Sequence, residues 1–112
     1  MITNKNNVKH YTWGNNCNSW VLADTAGLSV KQEGMPPNTK EQLHFHKNAQ
    51  QFFYILKGVA TFYCDDEVDT IGPNTGILIP AGTKHFIANE AQHDLEFLVI
   101  AQPSTNEDRL NV

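Results

Sequence analysis

The feature that most restricts this chain is its punctuation. Short segments rich in β-branched and aromatic residues recur at roughly eight- to twelve-residue spacing, each closed by a turn, and helical periodicity is nearly absent. The expected strands cover residues 19–24, 28–33, 41–46, 51–57, 59–64, 68–71, 76–79, 84–89 and 95–101. Between them stand GMPPNT (34–39), DDE (65–67), GPNTG (72–76) and PAG (80–82). In such turns proline presets φ, and glycine or asparagine supplies the left-handed bend. Many short strands in series predict an all-β sandwich or barrel. With 112 residues the chain is expected to form one domain, 1–112, with a polar segment over 1–18 and a tail over 102–112 lying along the surface.

Charge and apolar runs narrow the partners. The formal net charge is −4 and no cluster of Lys and Arg occurs, which argues against nucleic acid or an anionic membrane as a partner. The first sixteen residues are polar, without the apolar stretch of a secretory signal. GILIPAG and FLVIA are too short to span a bilayer. Cys17 and Cys64 form neither a CxxC pair nor a metal-finger spacing and read as reduced thiols. The expected location is the cytoplasm and the expected partner a small molecule.

Alternation along the strands sorts their faces. On 41–46, Gln42, His44 and His46 share one face, with Leu43 and Phe45 on the other. Imidazoles at i and i+2 of a strand can aim two nitrogens at one metal ion. On 51–57, Gln51, Phe53 and Ile55 alternate with Phe52, Tyr54 and Leu56, so both faces are largely apolar. Such a strand sits between a cavity and a second sheet, or at a dimer interface. With Trp13 and Trp20 also in need of cover, a homodimer is expected.

Further along, Pro80-x-Gly82-x-x-His85-x-x-x-Asn89 places a third histidine just after a constrained turn. Here the chain resembles the cupin superfamily over roughly residues 28–101. Its first motif is matched by His44-x-His46, four residues, Gln51, six residues and Gly58, and its second by Pro80, Gly82, His85 and Asn89. The resemblance implies an antiparallel jelly-roll barrel, a double-stranded β-helix, with both motifs lining one cavity. It also implies that His44, His46, His85 and Gln51 hold one divalent transition ion: Fe, Ni, Mn or Zn. Two positions depart from the pattern. Asn74 stands for a glycine, in a turn where asparagine tolerates positive φ. Gln51 stands where the family usually has glutamate.

That glutamine has a chemical consequence. Three imidazoles and an amide are all neutral, so an ion they held would keep its full charge, favouring Lewis-acid chemistry over electron donation to oxygen. The expectation is an isomerase or lyase acting on a small oxygen-rich metabolite, such as a sugar acid or sugar phosphate. The alternatives are a non-catalytic module that binds or senses a sugar-like ligand, and an iron-dependent dioxygenase. Some similar cupins, which ketonise unsaturated uronates, carry an acid and an aromatic on the last strand, and this chain has Val99 and Ala101 there. No general acid or base stands out. Gln42 is expected either to contact a ligand or to orient His44, and Phe53, Ile55, Phe97 and Val99 are expected to wall the cavity.

Overall fold

A computed structural model describes residues 1–112 as twelve strands joined by turns, with no helix long and apolar enough to cross a membrane. The strands are β1 (His10–Trp13), β2 (Cys17–Asp24), β3 (Ser29–Met35), β4 (Thr39–Lys40), β5 (His44–Phe45) and β6 (Gln50–Lys57). They continue with β7 (Ala60–Cys64), β8 (Glu67–Ile71), β9 (Gly76–Ile79), β10 (His85–Asn89), β11 (Leu95–Gln102) and β12 (Leu110–Asn111). One antiparallel sheet runs β1-β2-β3-β11-β6-β9, and the other runs β12-β5-β10-β7-β8 with β4 also on β10. This is the expected jelly roll.

The two sheets pack around a core containing Phe53, Ile55, Phe62, Ile87, Leu95 and Phe97, all buried to 2% exposure or less. Phe53 meets Phe62 edge to face at 5.1 Å and Phe97 at 5.7 Å. Each such side chain contributes about 1.5–3 kcal/mol of transfer free energy. The alternation that buries them also sets the site. Cross-strand neighbours share a face, so the inward residues of the first sheet fall into rows. One row is Ser29, Ala101, Gln51 and Ile79; the next is Lys31, Val99, Phe53 and Ile77; a third is Ser19, Glu33, Phe97 and Ile55.

The motif turns do what their residues require. Gly58 has φ +86°, and a Cβ there would lie 2.5 Å from the carbonyl oxygen of Asp94. Asn74 adopts φ 61°, the left-handed conformation that the glycine substitution demanded. Gly82 has φ +83° and donates its N–H to the carbonyl of His46 at 2.7 Å, tying the second motif to the first. Asn89 is fully buried; its amide donates to the carbonyls of Met35 and His93, and its oxygen accepts from Ala91 N–H.

One local expectation fails, and two further features go beyond the expectations. The segment 41–46 is not one strand: β4 and β5 are short, and 41–43 between them are irregular. The polar start contains β1, paired with β2. The tail, exposed or half-buried throughout, also returns so that Leu110 and Asn111 pair with Phe45 and His44.

Candidate metal centre

His44 and His85 face each other across the β5–β10 pairing, and His46 follows two residues on. Their ring centroids are 4.4, 5.0 and 5.8 Å apart. Their candidate ligand atoms lie within 4.8 Å of one another, and all three residues are buried. Nitrogens on one ion at about 2.1 Å can stand up to about 4.2 Å apart, so the cluster is near binding dimensions.

The main chain decides which nitrogen of each ring is free. Nδ1 lies 2.7 Å from the Gln42 carbonyl in His44, 2.6 Å from the Asp108 carbonyl in His46, and 2.8 Å from the Thr83 carbonyl in His85. A carbonyl can only accept, so each Nδ1 carries the proton and donates it. Each Nε2 is left with its lone pair. Burial opposes charging all three rings: it pushes His44 down to about 3 and lowers His46 and His85, with the positive charge of Arg109 adding to each. At neutral pH they are neutral, the form that ligates.

Two observations match these residues to a cation. Nε2 of His46 is buried with no hydrogen-bond partner, an unfavourable state for a polar atom. The amide oxygen of Gln51 stands 3.0 Å from Nε2 of His85, so two acceptors face each other. A divalent ion near both resolves the two deficits, and the donor set of three imidazoles and an amide oxygen suits Zn, Fe, Ni or Mn.

His85 adjoins His44 and His46, which with Gln51 line a cavity of about 450 Å³. Phe53 and Val99 line it, as expected. Ile55 and Phe97, expected as walls, instead lie one row deeper in the packed core. Of the two roles expected of Gln42, the orienting one is seen, but through its main-chain carbonyl, which accepts from His44, while its side chain is exposed. The cause is the broken strand. Alternation lapses over 41–43, and Glu41 rather than Gln42 turns toward the cavity.

The cavity wall also carries charge, which was not among the expectations. Glu33, Glu41, Lys31 and Arg109 all line the cavity. Glu33 accepts a hydrogen bond from the Ser19 hydroxyl, which accepts from the Trp13 indole N–H at 2.9 Å. Burial raises the Glu33 carboxyl despite that bond. Glu41 is pushed up to about 7, first by burial and then by the negative charge of Glu33. Its Oε1 accepts from Ile87 N–H at 3.1 Å, and Arg109 lies 3.7 Å from its Oε2. The one signal for Glu33 in the sequence was its parity with Ser29 and Met35; the structure adds that it is the cross-strand neighbour of Phe97. Tyr11 and Trp13 also line the cavity, whereas His10 and His93 are exposed and Tyr63 bonds Glu90 outside it.

Residues 32–101 match the Cupin domain family. The chain belongs to the cupin family. Among solved structures, KdgF from Halomonas sp. superposes with a TM-score of 0.86 at 14% identity, covering 96% of this chain and 98% of that one. A sugar phosphate isomerase of the cupin superfamily from Silicibacter pomeroyi superposes with a TM-score of 0.81 at 17% identity, covering 93% of this cupin and 76% of that chain. In sequence, this cupin is 33% identical over 80 residues to a Vibrio cholerae protein named for mannose-1-phosphate guanylyltransferase. That match covers 70% of this chain and 17% of the relative, so the cupin spans less than a fifth of that longer protein.

Proposed function

We propose that this cupin is a metal-dependent enzyme of the isomerase or lyase kind, acting on a small anionic, oxygen-rich metabolite such as a sugar acid or sugar phosphate. The observation that carries the reading is the company that the histidines keep in one cavity. Two neutral imidazoles, His44 and His46, with His85 paired to His44, share it with two raised carboxyls, Glu33 and Glu41, and two cations, Lys31 and Arg109.

His44, His46, His85 and Gln51 are the residues that would hold the ion. Bound there, a divalent ion supplies Lewis acidity toward a ligand oxygen, undiminished by any anionic ligand of its own. The chain's own groups supply the rest. Lys31 and Arg109 offer positive charge to a carboxylate or phosphate, and Arg109 can engage two of its oxygens at once. Glu41, near half-protonation at neutral pH, can hold or release a proton within the cavity, the property wanted of a general acid or base. Glu33 is held in place by Ser19 and Trp13 and keeps Glu41 elevated by repulsion. Phe53 and Val99 limit water on the apolar side. The likeness to a sugar phosphate isomerase and the match to a protein named for a sugar-phosphate reaction support the choice of substrate class.

A turnover screen of sugar acids, keto acids and sugar phosphates on metal-loaded protein tests the proposal. Turnover should occur and should fall at least tenfold in Glu41→Gln with the metal retained. Saturable binding of such compounds without turnover would replace the enzyme with a binding module.

A further inference from the structure

The C-terminal tail makes an attachment that the cupin motifs do not require. Asp108 accepts hydrogen bonds from three successive main-chain N–H groups beside His46. Oδ1 takes Lys47 at 2.9 Å, Oδ2 takes Ala49 at 2.9 Å, and both oxygens share Asn48 at 3.3 and 3.0 Å. The main-chain carbonyl of the same residue takes the Nδ1–H of His46 at 2.6 Å. One residue thus fixes both the backbone after His46 and the orientation of its ring.

The neighbours reinforce this placement. Leu110 and Asn111 extend the sheet on β5, and Val112 N–H reaches the Leu43 carbonyl at 3.1 Å. On the other side Asp108 N–H bonds the Thr105 carbonyl, and Asn106 bonds Asp24. The segment 104–112 is therefore a strap on the edge of β5, anchored at several points, and its Thr105, Asn106 and Glu107 line the cavity. It also delivers Arg109 to the cavity.

We propose that Asp108 is a positioning residue for the metal centre, and that docking of the 104–112 strap and metal binding at His46 reinforce each other. The inference rests on the metal reading above. The carboxylate cap holds the strap; the docked strap places the carbonyl that keeps the His46 proton on Nδ1. Without that acceptor, His46 is free to rotate and to exchange tautomers, so only part of its population presents Nε2 to the other two rings. Coupling of this kind is reciprocal: whatever factor the docked strap adds to metal affinity, the metal adds to strap docking.

The test uses Zn2+ alone as the probe, on the full chain, in wild type, Asp108→Ala and Asp108→Asn. Chelator competition should show Zn2+ affinity falling about 10- to 100-fold in Asp108→Ala, with Asp108→Asn between it and wild type because one acceptor oxygen remains. Hydrogen exchange supplies a readout that a purely structural role would not move. In wild type, Zn2+ should slow exchange at the amides of Lys47, Asn48 and Ala49 and along 104–112, and in Asp108→Ala that slowing should be lost. Deletion of residues 103–112 should give the same low affinity as Asp108→Ala. If Asp108→Ala misfolds, Asp108→Asn with the wild-type exchange comparison still decides. Wild-type affinity in a variant whose 47–49 amides exchange freely would overturn the positioning role alone. Absence of Zn2+ binding by wild type would overturn it together with the metal reading.

Discussion

The amide oxygen of Gln51 lies 3.0 Å from Nε2 of His85, whose ring proton is on Nδ1 and is donated to the Thr83 carbonyl. An oxygen and a lone pair at that distance favour a shared cation, and the neutrality of Gln51 then sets how much charge that cation shows to a substrate. Gln51→Glu adds an anionic donor at the same position and should tighten metal binding, because attraction to a divalent ion is strong in a partly dry cavity. Gln51→Leu removes the oxygen at similar size and should weaken it. Chelator competition on both variants reads the outcome. Wild-type affinity in both would remove Gln51 from the metal centre.

Glu41 makes stability depend on pH in a direction unusual for a carboxyl. Its folded pKa, about 7, stands above its unfolded value of 4.5. Its contribution is therefore complete below pH 4.5 and is lost as pH rises through 7, by about 3 kcal/mol. Glu33, also raised, acts in the same sense. In metal-free protein, Glu41→Gln should gain stability relative to wild type between pH 5 and pH 8 in urea denaturation. A constant difference between the two proteins across that range would contradict the burial of Glu41.

Gly58 closes the first motif at a backbone conformation that other residues rarely adopt, against the Asp94 carbonyl. Gly58→Ala should cost about 1–3 kcal/mol, from strain at positive φ and from displacement of Asp94. An unchanged denaturation midpoint would show that the β6–β7 turn has room to adjust.

We also propose that the protein is a homodimer. The outer face of β6 and β9 leaves Phe52, Leu56 and Leu78 at 37, 39 and 56% exposed, with Phe52 and Leu78 as cross-strand neighbours. An apolar face of this kind on a small domain is commonly covered by a second copy. Light scattering should return twice the chain mass at micromolar concentration, and Phe52→Glu should shift it toward monomer. A monomer in wild type would leave this face uncovered.

What the sequence made legible was whatever followed regular alternation or a constrained turn. His44, His46, Gln51 and His85 come together because strand parity and the Pro80–Gly82 turn aim them. Phe53 and Val99 follow the same parity. Glu41 was hidden by a lapse in that parity: its N–H and Oε1 both bond Ile87 across an irregular stretch, turning it inward and Gln42 outward. Glu33 and Lys31 were hidden by residue habit, since charged side chains on a strand ordinarily mark the solvent face. Arg109 and Asp108 depended on a return of the chain over about sixty residues, which no local pattern encodes.

Metal content is the most direct test of the account. Protein expressed with Fe, Ni, Mn and Zn available should carry about one divalent transition ion per chain by elemental analysis, as a single four-ligand site requires. His44→Ala and His85→Ala should each lose it while keeping the wild-type β-sheet spectrum. Wild-type protein with no bound ion under those conditions, or folded histidine variants that retain it, would contradict the central claim that these side chains form a metal centre.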